Sequence, residues 1–160
     1  MKWITLFLVL PLVFLSLFAP AQNKPIAYLS LEEVKEAMMK EEKLIVMNFS
    51  TDWCAYCKIQ ERQLKKNDEV SQLLNDRTYY ITLNAETKDT LKFNNIIFNP
   101  SPYKGGIHEL ALAVSEKNEH PAFPMWVIFN KDYEIIFRKN GLVKPKDLVE
   151  VLKNLLPNNH

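Results

Sequence analysis

The sequence predicts an α/β domain, a mixed central β-sheet with helices on both faces, and three observations carry that reading. Its 160 residues suffice for one ordinary domain. Apolar residues make up 48% and charged residues 24%, the composition of a folding globular chain rather than a disordered one. Along the chain, short apolar runs alternate with amphipathic stretches in the order β-α-β-α-β, followed by α-β-β-α.

Residues 1–21, MKWITLFLVLPLVFLSLFAPA, read as a signal peptide. Lys2 supplies the positive start, only Thr5 and Ser16 interrupt the apolar run from Trp3 to Phe18, and Ala19-Pro20-Ala21 offers the small residues of a cleavage site. An uncleaved membrane anchor is the competing reading. It fits less well, because the run is short for a span, Pro11 sits in its middle and no basic cluster follows. Cleavage after Ala21 leaves residues 22–160 as the expected domain, periplasmic or secreted. No cysteine follows that site, so lipid attachment is not supported. An exported chain is one in which a disulfide can persist.

Ile26 to Leu29 is a short edge strand or lead-in. Ser30-Leu31-Glu32-Glu33 is a capping box, and Leu31, Val34 and Met38 share the apolar face of a helix over 31–41. Leu44 to Phe49 is nearly all apolar and β-branched in part, as a strand buried on both faces requires. A helix then runs from the Cys54-Ala55-Tyr56-Cys57 motif to about Lys66, and Asp68 is the expected cap of a short second one through Leu74.

Tyr79 to Leu83 is the next strand, and Thr90 to Pro100 alternates around Asn94-Asn95 as a tight hairpin does. Pro100, Pro102, Gly105 and Gly106 mark a loop before a helix over 107–116. Met125–Phe129 and Tyr133–Phe137 form a hairpin around Asn130-Lys131-Asp132. After Gly141, Pro145 opens a last helix whose apolar face carries Leu148, Val151, Leu152 and Leu155.

Composition excludes several functions. A net charge of +1 gives no electrostatic footprint for nucleic acid. Three glycines cannot assemble a phosphate-binding loop, and two cysteines make neither a disulfide-dense scaffold nor a four-cysteine zinc module. One motif carries chemistry. Cys54 and Cys57 stand three residues apart where a buried strand gives way to a helix, a step of about 5 Å between Cα atoms. That lies within the roughly 4.4–6.8 Å a disulfide tolerates, so the pair can open and close without large backbone movement. Cys54, at the helix N-terminus, would have its thiolate stabilised by free N–H groups and the helix dipole. Cys57, one turn inside, would be the more shielded. Cys54 is therefore the expected nucleophile and Cys57 the resolving thiol.

Duller readings stand beside this one. An exported protein can simply pair its two cysteines, although a three-residue loop constrains the unfolded chain little. Cys-x-x-Cys is also half of many zinc sites, but no second copy exists and His108, His120 and His160 lack ligand spacing. His108, at the start of a helix, reads as a surface or capping residue.

The segment Phe49-Ser50-Thr51-Asp52-Trp53-Cys54-Ala55-Tyr56-Cys57-Lys58 resembles the active-site segment of the thioredoxin superfamily. Phe123-Pro124-Met125-Trp126-Val127-Ile128-Phe129 resembles that family's cis-proline loop and following strand, and Gly141 also matches. The resemblance spans most of residues 26–156. It is strongest to exported bacterial thioredoxin-like proteins, including the periplasmic domain of the transmembrane thiol-disulfide interchange reductase. It implies a thioredoxin-like fold and a cis Pro124 beside the cysteine pair. It also implies a substrate groove shaped by Trp53, Phe123 and Pro124, with the Phe123 backbone open to an extended substrate. Implied partners are protein dithiols or disulfides and an upstream membrane or soluble thiol reductase. No external cofactor or metal is implied, and the protein is expected to be a monomer.

Departures from the family pattern bear on mechanism. Asn48 stands where thioredoxins carry a buried acid, and Thr82 where its lysine partner would be; an amide cannot take up a proton near neutral pH. Between the cysteines lies Ala55-Tyr56, with neither proline nor histidine. A less stabilised thiolate makes a weaker oxidant, which leans the reading towards a reductase or electron relay. The alternative is a non-catalytic binding module with a structural disulfide. The stretch around 90–103 is longer than a compact member needs, a β-hairpin insertion that is either a surface elaboration or a partner contact.

Overall fold

The computed structural model describes residues 24–117 and 119–156. The expected leader, residues 1–21, lies outside the described residues, and among those described no helix is long and apolar enough to cross a membrane.

The elements follow as α1 (Leu31–Lys40), β1 (Leu44–Ser50), α2 (Ala55–Lys65), α3 (Asp68–Arg77), β2 (Thr78–Asn84), β3 (Leu91–Phe93), β4 (Ile96–Phe98), α4 (Glu109–Val114), β5 (Met125–Phe129), β6 (Ile135–Asn140) and α5 (Pro145–Leu155). The main sheet has the order β2-β1-β5-β6, with β1 parallel to β2 and the other pairs antiparallel. It is the mixed sheet the sequence predicts. β1 is central, and strand periodicity of two sends its side chains alternately to two cores. Ile45, Met47 and Phe49 face α1 and α4, and Leu44 and Val46 face the core built from α2, α3 and α5. In β2, Tyr79 and Ile81 face the first core and Tyr80 the second; in β5, Trp126 and Ile128 join Tyr80.

Several boundaries differ from expectation for local reasons. Of the two readings offered for residues 26–29, the lead-in is the one found: the Leu29 N–H reaches Tyr80 O at 3.0 Å, and Ala27 N–H is taken by the Asn75 side chain. Asn67, not Asp68, caps α3, its Oδ1 accepting from Val70 N–H at 2.9 Å, and the helix continues to Arg77. β6 starts at Ile135 instead of Tyr133 because the Asn130 Oδ1 accepts from both Asp132 and Glu134 N–H groups, while Tyr133 turns into the left-handed region at φ +62°. The helix α4 is shorter than the expected 107–116.

The β-hairpin insertion is present and woven into the core. Asn94 and Asn95 both have positive φ, the geometry of a tight two-residue turn whose twist suits the flanking strands. β3 places Phe93 inside the fold, its ring 5.2 Å from that of Phe129 and 5.5 Å from that of Tyr133. His108 pins the far end of the insertion and is buried, not on the surface. Its Nδ1 accepts the Leu110 N–H at 3.1 Å as the cap of α4, which leaves Nε2–H to donate to Asp89 O at 3.0 Å.

Replacing this ring with a methyl leaves the buried Leu110 N–H without its acceptor and removes the donor to Asp89 O. His108→Ala is therefore expected to cost about 1–3 kcal/mol in urea unfolding. His108→Asn, which can keep the cap, should recover part of that loss.

Candidate active site

Local chemistry builds the site where β1 ends. A helix begins with N–H groups that have no partner inside it, and at α2 the cap is Cys54. Its Sγ accepts the Cys57 N–H at 3.0 Å, and its own N–H is held by Thr51 O at 3.1 Å. Cys54 and Cys57 form a disulfide with Cα atoms 5.3 Å apart, the separation a helical three-residue step predicts. Exposure does not distinguish the two sulfurs as expected. Cys54 is 4% exposed and Cys57 8%, because neighbouring groups cover the cap as well as the first turn. What separates them is position: Cys54 receives the helix N–H, and Cys57 lines a cleft between α2 and the sheet.

The remaining expected site residues gather at the same end. The Phe123–Pro124 peptide bond is cis. Because Met125 pairs with Phe49, antiparallel register carries Pro124 alongside the end of β1. Gly141, at φ +86°, donates its N–H to Pro124 O at 2.8 Å, in a backbone conformation that suits glycine. The Phe123 ring meets that of Trp53 edge-on at 6.5 Å. Neither the N–H nor the C=O of Phe123 is engaged in a hydrogen bond among the described residues. Trp53 is 69% exposed and Tyr56 66%, so two aromatic faces flank the disulfide.

Three contributors were not read from the sequence. The Trp53 indole N–H is shared by both oxygens of Glu86 at 3.1 Å, and Asp52 accepts from Asn84 Nδ2 at 3.0 Å. The end of β2 and the loop after it thus clamp the two residues that precede Cys54. Gln60, fully buried, exchanges hydrogen bonds with both backbone groups of Val143 at 2.8 and 2.7 Å, tying α2 to the approach to α5. No one-dimensional pattern marks these pairs, which lie 83 residues apart for Gln60 and 33 for Trp53.

Beneath Cys57, Asn48 pairs in register with Thr82 and with Trp126, and these share the sheet face turned to α2. Tyr80 stacks on Trp126 with centroids 6.1 Å apart, and burial pushes its hydroxyl far above the ordinary phenol range, with Tyr28 and Glu61 adding to the effect.

The thioredoxin-like domain family matches residues 31–156, and the chain belongs to that family. Among solved structures it is similar to DsbH oxidoreductase, at 16% identity and a TM-score of 0.57, covering 86% of this chain and 91% of that one. A thioredoxin from Thermus thermophilus aligns at 14% identity and a TM-score of 0.58, over 82% and 88% of the two chains. A disulphide isomerase from Xylella fastidiosa Temecula1 aligns at 16% and 0.52, over 84% and 98%. No curated protein matches. At these identities the neighbours establish the fold; the Cys54–Cys57 geometry is what fits thiol-disulfide oxidoreductase chemistry.

Tyr80 offers a test of the site's floor. The folded chain keeps its phenol proton where the unfolded chain releases it, so stability present up to about pH 10 is lost as pH rises beyond that point. The slope is about 1.4 kcal/mol per pH unit for one such group. Urea unfolding between pH 9 and 11 should show a steeper alkaline decline for the wild type than for Tyr80→Phe.

Proposed function

We propose that this protein is an exported thiol-disulfide oxidoreductase that exchanges disulfides with other proteins, working as a reductase or electron relay. The observation that carries the reading is the reversible geometry of the Cys54–Cys57 pair, with one sulfur serving as the cap of α2. In the reduced protein the Cys54 thiolate attacks one sulfur of a substrate disulfide. A mixed disulfide forms and one substrate sulfur leaves as thiolate. The Cys57 thiolate then attacks Cys54 Sγ, the internal disulfide closes, and the second substrate sulfur leaves. Two electrons have passed to the substrate, and a dithiol protein upstream restores the pair.

Exposed Trp53, half-buried Phe123 and buried Pro124 would form an apolar substrate groove, beside Phe123 backbone groups that have no hydrogen-bond partner among the described residues. An extended polypeptide can use both. Asp52 itself and Glu86, which accepts from Trp53, place two carboxylates next to the residues that lead into Cys54. Negative charge there disfavours a thiolate, which supports the reducing direction. Export rests on the amino-terminal sequence, residues 1–21.

Dithiol-driven reduction of a model protein disulfide tests the activity. The wild type should accelerate it by about tenfold or more over the dithiol alone, with Cys54→Ser at background and Cys57→Ser accumulating a mixed disulfide. Equal rates for wild type and Cys54→Ser reject the enzyme in favour of a binding module. Amino-terminal sequencing of the exported protein should read from Gln22; retention of Met1 would mean an anchor instead.

A further inference from the structure

The cleft behind the disulfide has a volume of about 380 Å³, room for several waters. Cys57, Asn48 and Tyr80 line it together with the exposed residues Asp52, Lys58 and Glu61. Asn48 is 7% exposed, and its Nδ2 has no hydrogen-bond partner among the described residues. A buried amide donor without an acceptor is costly, and the cleft has room for a water to supply one.

Chemistry sets the demand on this space. Cys57 must lose a proton before it can attack Cys54, and the amide of Asn48 cannot accept one. Asp52 and Glu61 are the carboxylates along the cleft. Asp52 is held by Asn84 in the clamp that precedes Cys54. Glu61 lies four residues beyond Cys57 on α2, so the two side chains share one face of the helix. The charge of Glu61 also reaches the floor of the cleft, where it contributes to the upward push on Tyr80.

We infer that Glu61 accepts the Cys57 proton through water in this cleft, with Asn48 as the fixed post that orients that water. The inference rests on the oxidoreductase reading above and names the base for its second step. As Cys57 Sγ bonds to Cys54 Sγ, the bond from Cys54 to the substrate sulfur breaks and that sulfur leaves with the electron pair. The proton from Cys57 passes to a cleft water, which gives one to the Glu61 carboxylate, and bulk solvent later takes it. The groups around Glu61 are Lys65 at 2.6 Å and Lys58 on its own helix, Asp52 from the β1–α2 loop, Tyr28 from the lead-in and Tyr80 from β2.

Stopped-flow reaction of the reduced protein with a nitrobenzoate disulfide, whose released thiolate is coloured, separates the two steps. The first release, as Cys54 is loaded, depends on reagent concentration; the second, as Cys57 closes the ring, does not. Glu61→Gln should leave loading unchanged and slow closure about tenfold at neutral pH, converging with the wild type in alkali, where hydroxide takes the proton. Asn48→Asp in the Glu61→Gln background should restore closure by supplying a carboxylate within the cleft. Lys65→Met, which loses the ion pair and keeps the carboxylate, should close at the wild-type rate. A Glu61→Gln variant with wild-type rates and pH profile, or a Lys65→Met variant slowed equally, overturns the inference and leaves the oxidoreductase reading intact. A wild-type protein that gives no second release overturns the oxidoreductase reading itself.

Discussion

At the end of β1 the chain passes from a strand buried on both faces into a helix whose first N–H groups need acceptors. Cys54 meets that need with sulfur, accepting the Cys57 N–H at 3.0 Å. In the reduced protein the same contact would stabilise negative charge on the sulfur, so the capping role of Cys54 and the chemical role proposed for it rest on one interaction. Its position is enforced from outside the helix. Gln60 ties α2 to Val143, and Asn84 and Glu86 hold Asp52 and Trp53. Gly141 anchors the carbonyl of Pro124. Contacts from the end of β2 and from the segment before α5 thus converge on the start of α2.

The insertion shows how an added segment becomes part of the fold. A hairpin resting on the surface would bury little, yet β3 sends Phe93 into the core between Phe129 and Tyr133. His108 then closes the segment with its two ring nitrogens, one accepting within α4 and the other donating to Asp89. Loop 101–106 returns the chain beside Glu86, where a side chain on Gly105 would lie 3.8 Å from the carboxylate that holds Trp53. The insertion therefore connects the core to the flank of the site. Removing it would disturb both, and its contribution to partner binding is separable only by changing exposed residues such as Tyr103.

Asn48 marks a different balance. A carboxylate at this place would be costly to ionise in a buried position, and an amide avoids that cost while keeping a polar group against the cleft. On the proposal above, the acid–base work of the exchange falls instead to the exposed rim of α2. There a carboxylate remains hydrated, and water must connect it to Cys57.

Much of this was legible in one dimension. The capping box at Ser30–Glu33, the run Leu44–Phe49, the Asn94-Asn95 turn, Pro145 at the start of α5 and the spacing of Cys54 and Cys57 are local signals, and each element formed as its pattern required. Such signals depend on neighbours a few residues apart, so a sequence determines them directly. The start of β6 and the cap of α3 differed by a residue or two where an Asn side chain outcompeted the expected turn or cap. Only the tertiary structure decided which groups surround the sulfurs: Glu86 against Trp53, Gln60 against Val143, the cleft under Cys57 and the burial of both cysteines. These depend on register between strands far apart in the chain and on how side chains share space, which no local pattern encodes.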